Sequence, residues 1–138
     1  MKSYLLIPLL LTSQAWAQNG APPDTRSAQW QSQGAAQYLC GGVADEGMSA
    51  IQSRRSEAGS ELLFTSGPEG AYVADVAVTV QGGKLKEMLS FTAGGPVCLL
   101  KLPKGNYIVD ASYRGKTVRQ SIKVDGPAQQ TRFNWPAL

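Results

Sequence analysis

The chain has 138 residues, with 13 Lys and Arg against 10 Asp and Glu, two Cys and no His. A net charge of +3, with only Arg54 and Arg55 adjacent, is too small and too scattered to mark a nucleic-acid or anionic-membrane partner. The lack of histidine excludes Ser-His-Asp and Cys-His nucleophilic systems and His-ligated zinc, and two cysteines are too few for a thiolate zinc site.

Residues 1–17 read as a cleavable export signal. Lys2 supplies the positive start, Leu5 to Leu11 an apolar core, and Ala15-Trp16-Ala17 a small-x-small cleavage site, so the cut is predicted after Ala17. The apolar run is too short for a transmembrane helix, and no later stretch is long enough, so the mature chain is expected to have no membrane span and to be periplasmic or secreted. Residues 18–138 suffice for one domain.

Residues 18–37 are rich in Gln, Ala, Ser, Gly and Pro, which predicts a flexible lead-in that buries too little to offset its ordering entropy. Trp30 is its one large apolar side chain and is expected to be exposed. Residues 38–60 are expected to form a turn at Tyr38-Leu39-Cys40-Gly41-Gly42 and then one short amphipathic helix over about 45–58. Asp45 is its candidate N-cap, Gly59 its stop, and Met48, Ile51 and Arg55 fall on neighbouring turns. In an exported chain an even cysteine count favours a disulfide between Cys40 and Cys98.

From residue 61 the period changes to two. Strands are predicted at 61–65, 72–81, 85–91, 97–102, 107–113, 118–124 and 131–135, separated by Gly- and Pro-rich breaks. The pattern places Tyr72, Val76, Val78 and Val80 on one inward face, then Leu85, Leu89 and Phe91, then Tyr107, Val109, Ala111 and Tyr113. Val97 to Leu102 is apolar almost throughout, which suits a central strand. The fold class is therefore mainly β, a seven-stranded antiparallel sandwich over residues 61–138 preceded by one short α-helix.

Gly70-Ala71-Tyr72-Val73-Ala74-Asp75-Val76 and Leu102-Pro103-Lys104-Gly105-Asn106-Tyr107-Ile108-Val109 resemble the G-x-x-x-x-x-V opening and the L-P-x-G-x-Y-x-V turn of carboxypeptidase regulatory-like domains. The resemblance covers about residues 61–125 and implies a prealbumin-like (transthyretin-like) Greek-key sandwich. The Tyr38–Val43 stretch with its helix and the closing Phe133-Asn134-Trp135-Pro136 are also similar to small exported bacterial proteins of this type. In metallocarboxypeptidases such a domain is an appendage, and this chain has no room for a catalytic one, so the resemblance does not imply peptidase activity.

The remaining motifs carry little chemistry. No phosphate-binding loop is present, and Gly41-Gly42, Gly82-Gly83 and Gly94-Gly95 read as turns. Tyr113-Arg114-Gly115-Lys116 faintly resembles the Tyr-Arg-Gly-Ser signature of transthyretin-related hydroxyisourate hydrolases. That signature closes their chain and works with histidines, so here a hairpin corner is the better reading. No catalytic residue, cofactor or metal site is expected. The expected role is a non-enzymatic module that binds a protein or envelope component, with sheet edges open to docking or self-association and Trp30, Tyr38 and Arg114 as candidate binding-surface residues. The alternatives are a hydrolase of transthyretin-related type using Arg114 and carboxylates, or a carbohydrate-binding module with an exposed aromatic platform.

Overall fold

A computed structural model describes residues 29–137; the export-signal reading and most of the lead-in lie outside them. Two sheets pack face to face. The first has the order β1 (Gln31–Gln33), β2 (Ala36–Gly41), β7 (Val97–Lys101), β3 (Ser60–Ser66), β10 (Gln129–Trp135), with the short β4 (Ala71–Tyr72) beside the end of β3. The second has the order β6 (Leu89–Ala93), β5 (Val76–Gly82), β8 (Gly105–Tyr113), β9 (Lys116–Val124). All pairings are antiparallel except β3 with β10, which run parallel from Ser60 opposite Gln129 to Ser66 opposite Trp135.

Alternation makes the space between the sheets apolar. Val76, Val78 and Val80 on β5 are fully buried and alternate with Ala77, Thr79 and Gln81 on the outer face. Val78 lies opposite Ala111 and Val80 opposite Val109, so the neighbouring strand repeats the pattern in register. From the first sheet come Leu62, Phe64, Cys98, Leu100, Phe133 and Trp135. Phe64 meets Phe133 at 5.6 Å and Trp135 at 6.3 Å between ring centres, in tilted arrangements suited to aromatic quadrupoles. Burying each such side chain contributes about 1.5–3 kcal/mol.

The first sheet is covered on its other face too. Leu39, Val97 and Leu99 point away from the sandwich and, with Ile51 and Ala58, form a second apolar cluster beneath helix α1 (Ala44–Arg54) and a 3-10 turn over Arg55–Glu57. This explains the unbroken apolar run of β7, whose two faces are both buried. The helix begins one residue before the expected start. Val43 stands at the N-cap without a side-chain cap, while Asp45 and Glu46 occupy the first turn, where they favour the positive end of the helix dipole.

Among the described residues there are ten strands where the sequence pattern predicts seven, and β1, β2 and β4 are the additions. Residues 31–41 form a hairpin rather than the end of a lead-in and a turn. The physical reason is cross-linking: Cys40 lies directly opposite Cys98 and is disulfide-bonded to it, which fixes β2 against β7. Ala36 and Leu39 are buried on opposite faces of that strand. The expected strand 72–81 is split, because the backbone at Asp75 turns into the left-handed region (φ 60°) and separates β4 from β5. Tyr72 is consequently 61% exposed and not in the core as expected. Strand β6 starts only at Leu89; Leu85 stays half-buried against the core, while residues 86–88 are an exposed loop.

Candidate functional site

Side chains bridge the two sheets on both sides of the sandwich. On one side the Gln33 amide donates to the Ser90 carbonyl (2.7 Å) and accepts from the Ser90 N–H (3.3 Å), so a side chain joins β1 to the edge of β6. On the other, Gln120 donates to the Arg132 carbonyl (2.8 Å) and the Trp135 indole to the Lys116 carbonyl (2.8 Å), tying β9 to β10.

On the outer face of the first sheet, helix α1 covers β2 and β7, and Arg55 of the 3-10 turn after it reaches Glu61 at the start of β3. Beyond it, β3, β10 and β4 present Glu61, Thr65, Gln130, Arg132, Asn134 and Tyr72. Glu61 is 1% exposed and holds the layers together: its carboxylate accepts from Arg55 Nε (2.5 Å) and Gln130 Nε2 (3.3 Å), and Arg55 also donates to the Ala128 carbonyl (3.1 Å). A buried carboxylate with a guanidinium and an amide on it is compensated, and this one acts as a structural clamp.

Further along the same face Thr65 is buried, and its hydroxyl accepts from Arg132 Nε (3.1 Å) and donates to Asn134 Oδ1 (2.7 Å). The Arg132 guanidinium lies over Gly70, where an added Cβ would stand 2.5 Å from Nη2. Gly70 thus leaves the space the guanidinium occupies. Arg132 is oriented and surface-exposed, yet among the described residues it forms no ion pair with a carboxylate. Tyr72, directly opposite Thr65 in the β3–β4 pairing, adds an exposed aromatic ring to the same face.

The outer face of the second sheet is polar and internally paired. Arg119 grips Asp110 through two hydrogen bonds (2.8 and 3.1 Å), and the guanidinium holds the Asp110 carboxyl below its ordinary range while the carboxylate raises Arg119. Among the described residues no group of three or more Cys, Asp and Glu side chains converges as a metal site would require, and no helix is long and apolar enough to cross a membrane.

The residues singled out from sequence lie in different places. Cys40 and Cys98 are bridged. Trp30 is docked on the domain and not freely exposed as expected: its indole donates to Glu57 Oε1 (3.1 Å), Lys101 Nζ stands 4.3 Å from the ring centre, and it packs against the cluster under the helix. Tyr38 is stacked on Phe91 at 4.1 Å, an inward position that leaves little ring surface for a ligand. Arg114 and Gly115 (φ 51° and 80°) form the two-residue corner of the β8–β9 hairpin, with the Arg114 guanidinium 5.2 Å from the Tyr113 ring centre. Tyr72 and Arg132 were not singled out. The alternation of Gln130, Arg132 and Asn134 with Thr131, Phe133 and Trp135 does place the first three on one face. What hides Tyr72 is the break at Asp75, which ends the two-residue period on which its inward assignment rests.

Comparison with models of known protein families and with curated protein sequences finds no match for this chain.

Proposed function

We propose that this chain is a non-enzymatic, exported β-sandwich module of the carboxypeptidase regulatory-like type that docks on a protein of the cell envelope through the Tyr72–Arg132 face. The carrying observation is an oriented guanidinium, with no carboxylate partner among the described residues, on the same sheet face as a 61% exposed tyrosine ring. Tyr and Arg are the side chains most often found as anchors of protein interfaces, and a fixed guanidinium fork suits a carboxylate on the partner. The disulfide supports an oxidising compartment. On this reading β3 and β5 to β10 would make up the prealbumin-like Greek key, with β1, β2 and β4 as additions to it.

The test immobilises the oxidised protein and compares wild type with Tyr72→Ser/Arg132→Gln in periplasmic extract. The expected result is an envelope protein retained by wild type and reduced at least tenfold by the double variant, with thermal unfolding of the two alike. Equal retention by both proteins would remove this face from consideration.

A further inference from the structure

A second site lies elsewhere in the molecule and does not depend on the docking face. The tip of the β1–β2 hairpin, residues 33–35, and the loop of residues 84–88 enclose a cleft of about 470 Å3. That is within the range of about 300–1,000 Å3 typical of small-molecule sites. The two walls come from different sheets. The Gln33 amide bonds to Ser90 hold the hairpin tip in place, and the Leu85 N–H donates to the Gly82 carbonyl (3.1 Å) at the base of the loop. The cleft is thus framed by fixed backbone at both ends.

Its chemistry is mixed in a specific way. Lys84 and Lys86 both line it, and among the described residues neither has a carboxylate within ion-pair distance; Glu87 also lines it and is likewise unpaired. Two ammonium groups against one carboxylate leave the cleft with an excess positive charge. Between them Leu85 is half-buried against the sandwich core, and Met88 is 54% exposed although strongly apolar. A flexible, polarizable Met beside a Leu offers an adaptable apolar wall.

We infer that this cleft binds a small amphiphilic anion, a carboxylate of the short fatty-acid type, with its head group on Lys84 and Lys86 and its chain against Leu85 and Met88. Neither half of the chemistry explains the arrangement alone: a simple anion has no use for the exposed Met88, and a neutral apolar ligand has none for two lysines.

Octanoate is the probe, followed by amide chemical shifts of the oxidised protein, with octanol and inorganic phosphate as probes lacking the charge and the chain. Saturable shifts are expected at Gly34, Ala35 and residues 84–88. Octanol and phosphate should bind at least tenfold more weakly, and Lys84→Gln/Lys86→Gln should weaken octanoate at least tenfold while leaving the other amides unshifted. Absence of saturation, shifts centred on Tyr72 and Arg132, or octanol binding as well as octanoate would each overturn the inference. So would phosphate binding as well as octanoate, which would reduce the site to a lysine pair.

Discussion

The β8–β9 and β1–β2 hairpins are held in the molecule by different means. The first has nine residues in each strand, pairs without interruption from Gly105–Val124 to Tyr113–Lys116, and buries Tyr107, Val109, Ala111, Ile122 and Val124 in the central core. Its stability comes from its own pairing and its own apolar face. The second has a three-residue outer strand with no buried residue and an inner strand that buries only Ala36 and Leu39. It is fastened by the pairing of β2 with β7, from Gln37–Lys101 to Gly41–Val97, and by a disulfide, a side-chain amide and an indole hydrogen bond. A two-stranded ribbon of that size is marginal on its own, so its attachment to β7 and the cross-links beside it, rather than the β1–β2 pairing, decide whether it is ordered.

The largest effect should come from removing the covalent attachment. Cys40 and Cys98 are 58 residues apart, and a loop of that length constrains the unfolded chain by roughly 4 kcal/mol on the chain-entropy model, with measured values commonly about 2–4 kcal/mol. Cys40→Ala/Cys98→Ala should lower the urea midpoint accordingly, and amides of β2 should lose hydrogen-exchange protection while those of β8 and β9 keep theirs. If both hairpins lose protection together, the two are one cooperative unit and the distinction fails.

A smaller effect should follow from the amide clamp. Gln33→Ala removes two exposed hydrogen bonds to Ser90, which water replaces in part, so a net loss of about 0.5–1 kcal/mol is expected. The sharper readout is local: exchange of the Ser90 amide should accelerate, whereas amides facing β5 within β6 should not. An unchanged Ser90 rate would mean that the clamp is incidental and that the disulfide alone positions the hairpin.

The same contrast governs what was legible in the sequence. Strands whose order is set by their own alternation, such as β5 and β8, are readable because the buried valines and Tyr107 fall at every second residue. Strand β2 is not, since its order depends on which strand Cys98 occupies and which sheet edge Gln33 reaches, and neither is a local property. The pairing of Cys40 with Cys98 was readable, but its consequence was not: it adds two strands to a sheet instead of anchoring a flexible arm. The parallel β3–β10 pairing is likewise a long-range fact, although the strand at 131–135 is readable and its Phe133 and Trp135 are buried in the core. The Tyr72–Arg132 face escaped because it is assembled from three strands, one of which exists only because Asp75 breaks the alternation.

The smallest effect is electrostatic and separates the two regions through Trp30, which leads into β1, and Trp135 of β10, which bonds to the start of β9. Trp30 donates its indole N–H to the Glu57 carboxylate, and that hydrogen bond, followed by the one from Arg54, holds the Glu57 carboxyl below its ordinary value of 4.5. A lowered carboxyl stabilises the folded state above the ordinary carboxylate range, and the contribution is lost as pH falls through the lowered value. Because Glu57 lies at the surface, the effect on global stability should be small, but its local signature is specific. The Trp30 indole N–H resonance should stay constant at neutral pH and move with a midpoint below 4.5. The Trp135 indole donates to a backbone carbonyl with nothing to titrate, so its resonance should not follow that midpoint. In Glu57→Gln the Trp30 titration should vanish. If both indoles move together in the wild type, acid is loosening the whole sandwich, and the entry of the chain into β1 is not a separately fastened element.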